Sequence, residues 1–123
     1  MPRVLVIEDN INNMDLITFI LETNGCEVLK AYTGLEGVKR AVDDRPDFIL
    51  LDIQLPDITG TEVLQLIRRE HVCSAIPIIA VTSFAMAGDE ERLLAAGCTG
   101  YIEKPINPEI VMDQIRRIVE KRP

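Results

Sequence analysis

Five short apolar runs recur along the chain, each followed by a stretch with helical spacing, and that alternation leaves few folds open. The runs are Arg3 to Ile7 (RVLVI), Glu27 to Ala31 (EVLKA), Phe48 to Leu51 leading into Asp52 (FILLD), Ile78 to Val81 (IIAV) and Gly100 to Glu103 (GYIE). Short continuous apolar runs bounded by turn residues suit strands buried on both faces of a parallel sheet. EVLKA carries enough polarity to suggest an edge. Between the runs, Ile11 to Asn24 places Met14, Ile17 and Leu21 at helical spacing before Gly25. Thr33-Gly34-Leu35-Glu36 and Thr59-Gly60-Thr61-Glu62 both have the form in which a threonine caps a helix three residues ahead of a glutamate. The first opens a helix predicted to turn Leu35, Val38 and Val42 inward and to end at Arg45-Pro46. The second runs to about Arg69 with Val63, Leu64 and Ile67 inward. A fourth helix is expected from about Gly88 to Ala96, stopped by Gly97. Asn107 with Pro108 at the first helical position opens a fifth, burying Val111, Ile115 and Ile118.

Five strand–helix units with short connections and right-handed crossovers predict an α/β fold: a three-layer, doubly wound (βα)5 arrangement of flavodoxin-like type, its five-stranded parallel sheet in the order 2-1-3-4-5. At 123 residues the chain is expected to form one domain. The order matters because it makes the first and third strands neighbours. Their carboxyl ends carry Glu8-Asp9 and Asp52, and the same rim receives Thr82 from the fourth strand and Lys104 from the fifth.

Several function classes fall away. A formal charge of −7 lacks the basic footprint that nucleic-acid binding requires. No apolar run approaches the length of a membrane span, and Met1 leads straight into strand-like sequence without a secretory signal. Cys26, Cys73 and Cys98 are odd in number, widely spaced and without a zinc pattern, as expected of reduced thiols in a cytoplasmic protein.

Three carboxylates brought within a few ångströms need a counter-charge. A small, hard divalent cation supplies one, and Mg2+ suits an oxygen-only site that retains water. The expected ligands are Asp9, Asp52 and a backbone carbonyl just past Asp52, that of Gln54, with Glu8 acting through water. Lys104 and the Thr82 hydroxyl then face an incoming anion. A phosphoryl group in transit needs all of these, with aspartate as acceptor.

Those residues resemble a known family. Glu8-Asp9-Asn10 after the first strand, D-x-x-L-P-x-x-x-G from Asp52 to Gly60, Thr82 ending the fourth strand and Lys104-Pro105 ending the fifth are similar to the receiver domain of two-component response regulators. The resemblance covers the whole chain, with no output domain. It is especially close over Val81 to Ile106 to stand-alone receivers of phosphorelays and cell-cycle control, and to receivers inside hybrid histidine kinases. It implies that Asp52 takes a phosphoryl group from a sensor histidine kinase or histidine phosphotransfer protein. It implies further that Glu8 and Asp9 hold Mg2+, that Thr82 and Lys104 engage the phosphoryl oxygens, and that the Lys104-Pro105 bond is cis. Tyr101 would turn inward as Thr82 moves, although its position equally suits an edge-strand aromatic with its hydroxyl in water. Output would leave through the fourth helix, fifth strand and fifth helix to a downstream protein. Asn13 and Leu16 of the first helix, with Phe19 and Ile20 as further candidates, would meet the kinase. Gln54 and Phe84 would flank the phosphoryl group and set its lifetime, Phe84 as an apolar shield or else as a core aromatic. The family's first acid is often Asp, and Glu8 departs from that.

Two other families with related architecture fit less well. A flavodoxin's phosphate loop would be repelled by Glu8-Asp9, and the chain has no Trp and only two Tyr for flavin stacking. A haloacid-dehalogenase-type, Mg2+-dependent aspartyl phosphatase wants a second acid two residues past the nucleophile, where this chain has Gln54.

Overall fold

The computed structural model describes residues 1–83 and 89–120. Among them, strands β1 (Arg3–Ile7), β2 (Glu27–Ala31), β3 (Phe48–Asp52), β4 (Ile78–Thr82) and β5 (Gly100–Glu103) alternate with helices α1 (Ile11–Thr23), α2 (Gly34–Asp44), α3 (Gly60–Arg69), α4 (Asp89–Ala96) and α5 (Val111–Glu120). All four pairings are parallel and the order is β2-β1-β3-β4-β5, as the alternation predicted. The polar run EVLKA does form an edge.

The continuous apolar runs divide their side chains between two layers. Leu5, Ile7, Ile49, Leu51, Ile78 and Ala80 point to one face, where α2, α3 and α4 cover them with Ala41, Val63, Leu64, Ile67 and Leu93. Val4, Val6, Phe48, Leu50 and Ile79 point to the other, against Met14, Ile17 and Leu21 of α1 and Val111 and Ile115 of α5. Every residue of β3 and β4 is buried. Each large aliphatic side chain so enclosed contributes about 1.5–3 kcal/mol relative to exposure. The rim is therefore fixed to a rigid centre.

The two threonine caps form as predicted, Thr33 accepting the Glu36 N–H and Thr59 that of Glu62, and Asn10 caps α1 by accepting the Asn13 N–H. Asn107 Oδ1 accepts the Glu109 N–H at 3.0 Å and its carbonyl the Val111 N–H, so Pro108 to Ile110 form a turn ahead of the regular helix. α1 stops as expected, with Gly25 at φ +83°. A short 3-10 turn over His71–Cys73, absent from the sequence reading, connects α3 to β4.

One helix is rotated from its predicted setting. α2 presses Gly34, Gly37 and Ala41 inward, with Val38 and Val42 half-buried beside them, and Leu35 is 58% exposed. The small residues allow close approach: a Cβ on Gly37 would collide with the side chain of Ile7. That approach rolls Leu35 outward. The three cysteines are free and buried. The expected start of α4 at Gly88 lies outside the described residues.

Candidate functional site

The register of β1 and β3 builds the site. Ile7 pairs with Leu51, so the next residues, Glu8 and Asp52, emerge side by side at the carboxyl ends of neighbouring strands. β4 pairs Val81 with Asp52, and β5 pairs Glu103 with Thr82, which brings Thr82 and Lys104 to the same rim. Carboxylate oxygens of Glu8, Asp9 and Asp52 lie within 4.8 Å of one another. Lys104 Nζ is 3.2 Å from Asp52 Oδ2 and 3.4 Å from Glu8 Oε1. All five residues read from the sequence as the chemical centre thus meet at one end of the sheet.

The centre is deeply buried: Asp52 is only 4% exposed and Glu8 only 6%. Lys104 closes on both carboxylates, and the Gln54 N–H donates back to Asp52 Oδ1 at 3.0 Å. Asp9 alone of the three acids stays exposed. Burial raises the Glu8 carboxyl to about 7, reinforced by the hydrogen bond and charge of Asp52 and opposed by the Asn10 N–H and Lys104. One ammonium does not balance three acids in a desolvated place. An all-oxygen donor set short of positive charge fits a hard divalent cation, with Asp9 and Asp52 as the natural ligands.

The remaining predicted residues fall around this centre. Thr82 is buried at the end of β4, and its carbonyl accepts the Lys104 N–H at 2.8 Å. The Lys104-Pro105 bond is cis. Tyr101, opposite Ala80 on β5, is half-buried and packs against the α2–α3–α4 side of the core. Asn13 and Leu16 join Glu8, Ser83, Lys104 and Ile106 around a surface cavity of about 330 Å3. Leu16 and Phe19 are exposed, whereas Ile20 is core. The Gln54 side chain is exposed. Phe84 lies outside the described residues. Asp57, in the turn after β3, also has partners that the sequence does not signal. Its two oxygens accept the N–H groups of Gly34 and Leu35, 23 and 22 residues earlier, and no local pattern signals such a partner.

Residues 4–116 match the response regulator receiver domain family. The polar-differentiation response regulator DivK of Brucella anthropi is 44% identical over 117 residues, covering 94% of this chain and 95% of that protein. Its counterpart in Brucella melitensis is 42% identical, covering 92% of each. Among solved structures, chemotaxis protein CheY4 of Vibrio cholerae superposes with a TM-score of 0.91 at 30% identity, covering 96% of this chain and 98% of that one. The receiver domain of a sensor histidine kinase from Pseudomonas aeruginosa, solved with magnesium coordinated in its active-site cleft, gives 0.88 at 32% identity and covers 98% of both chains. With the fold, the acidic centre and these relatives in agreement, the chain belongs to the receiver domain family of response regulators.

Proposed function

We propose that Asp52 is the phosphoacceptor and that the site works as follows. An Asp52 carboxylate oxygen attacks the phosphorus of a partner's phosphohistidine. The new P–O bond forms as the P–N bond breaks, and the departing imidazole nitrogen takes up a proton. Asp9, Asp52 and the Gln54 carbonyl would hold Mg2+, with Glu8 assisting through water, and the cation would neutralise charge on the phosphoryl oxygens. Lys104 already contacts the acceptor and remains with the transferred group. The Thr82 hydroxyl, one strand over, turns toward that group, and Tyr101 follows it inward. Phosphorylation adds about 1.5–2 negative charges at one point. It shifts the domain only through contacts that differ between the two states, and Thr82 and Lys104 are those contacts.

The observation that carries this reading is the single lysine within 3.4 Å of both Glu8 and Asp52, in a cluster whose third acid faces solvent. The cavity beside Asn13 and Leu16 supports docking of a histidine kinase or phosphotransfer helix next to the acceptor. α4, β5 and α5 form the face read by a downstream protein. Similarity to regulators named for polar differentiation makes a cell-polarity or cell-cycle phosphorelay the setting we assign.

Incubation with a small phosphodonor and Mg2+, followed by intact mass, tests the acceptor. One adduct is expected in the parent and none in Asp52→Asn; equal labelling of the variant would overturn the assignment. A Thr82→Ala chain is expected to accept phosphate yet lose most of the phosphorylation-dependent gain in partner affinity.

A further inference from the structure

We infer that Asp57 is a positioning residue for the phosphoryl site, tying the loop that carries Gln54 to the first turn of α2. This inference rests on the acceptor reading above and extends it to a residue remote from the reacting atoms.

The first turn of any helix has N–H groups without partners inside the helix. In α2 the local cap, Thr33, satisfies only the Glu36 N–H. The Gly34 and Leu35 N–H groups donate instead to Asp57, one to each carboxylate oxygen, at 2.8 and 2.9 Å. A carboxylate is the favoured group there, since it faces the positive end of the helix dipole. The two backbone donors hold the Asp57 carboxyl below its usual range. A second contact reinforces the tie. Gly34 lies so close to the loop that a Cβ there would come within 2.6 Å of Ile58 Cγ1.

The loop between β3 and α3 is thus fixed at three places. Near β3, the Ile53 N–H donates to the Val81 carbonyl and the Gln54 N–H to Asp52 Oδ1. Near α3, the Gly60 N–H closes back on the Ile53 carbonyl at 3.1 Å. Asp57 fixes the span between, and it does so on an element that contributes no acid to the centre. Without it, the backbone around Gln54 keeps only its end hydrogen bonds and the packing of Leu55 and Ile58 against the core. Groups that orient metal ligands from outside the ligand set typically alter affinity by about 10–100-fold. Asp57 acts one step farther out, through backbone, so a smaller effect is expected.

The test separates positioning from plain helix capping. Mg2+ affinity by isothermal titration calorimetry and the phosphorylation rate with a small phosphodonor are measured in the parent, Asp57→Ala, Asp57→Asn and Thr33→Ala. Asp57→Ala is expected to weaken Mg2+ about 3- to 10-fold and to slow phosphorylation by a similar factor. Asp57→Asn keeps one acceptor oxygen, falls between, and decides the matter if the alanine variant fails to fold. Thr33→Ala removes the helix's own cap and leaves the loop tied, so it is expected to lower the melting temperature with Mg2+ affinity and rate unchanged. Parent-like affinity and rate in both Asp57 variants would overturn the inference. So would equal weakening by Thr33→Ala, which would reduce Asp57 to a helix cap. A parent that neither binds Mg2+ nor takes phosphate would refute the acceptor reading itself, a distinct result.

Discussion

Lys104 lies 3.2 Å from Asp52 and 3.4 Å from Glu8, in side chains that are 17%, 4% and 8% exposed, whereas Arg116 meets Asp113 at 3.4 Å with both ends more than half exposed. The distances are alike and the energetics are not. On α5 one cation faces one anion in water, an arrangement worth about 0–1 kcal/mol. At the rim one cation serves an excess of anions that have lost much of their hydration, and such clusters often oppose folding. A chain selected for stability alone would not assemble the second arrangement. Local conflict of this kind marks the place where stability yields to chemistry.

The largest expected effect comes from breaking the buried side of that contrast. Asp52→Asn removes the phosphate adduct, and it also removes the charge that crowds Glu8 while leaving Lys104 a partner. The metal-free variant is therefore expected to be about 1–3 kcal/mol more stable in denaturant unfolding near neutral pH. A less stable variant would mean that the cluster supports the fold, and the contrast would vanish.

Next is the pH dependence carried by Glu8. Its carboxyl sits at about 7 in the folded chain against an ordinary value of 4.5. The folded state therefore holds this proton more tightly than the unfolded state. Its contribution is fully present below about 4.5 and is lost as pH rises to about 7. The loss should amount to roughly 3 kcal/mol in metal-free protein, and Glu8→Gln should flatten it. Urea midpoints across that window would read it; an equally steep slope in the variant would place the titrating group elsewhere.

Metal sharpens the same point. Asp9→Ala should weaken Mg2+ by at least about tenfold in calorimetric titration. In the parent, Mg2+ affinity should fall as pH drops through 7, because a proton on Glu8 competes with the cation. Parent-like binding by Asp9→Ala would remove Asp9 from the ligand set. The smallest effect belongs to the exposed pair: Asp113→Asn should change stability by no more than about 0.5 kcal/mol, measured by thermal unfolding.

Sequence patterning reached the site because its members end strands. A strand's apolar run shows where its carboxyl end lies, and the order of five such runs sets which ends are neighbours. RVLVI, FILLD and IIAVT were legible for that reason, and Glu8, Asp9, Asp52, Thr82 and Lys104 came with them. Features that depend on how closely elements approach were not legible. Leu35 looked inward because helical spacing rewards large side chains, whereas α2 in fact approaches on Gly34, Gly37 and Ala41. The contact of Lys104 with Asp52 joins residues 52 apart, and no pattern around residue 52 encodes it. Asp57 was invisible for the same reason, its partners lying on another helix.

Lys104 and Glu8, which touch across the acidic centre, stand 96 residues apart in the chain. Contacts of that separation form only after large loops have closed. During synthesis Glu8, Asp9 and Asp52 emerge well before Thr82 and Lys104, so a partly made chain carries the acids without their lysine. On the acceptor reading proposed above, the full set of side chains around Asp52 exists only once β1, β3, β4 and β5 lie together.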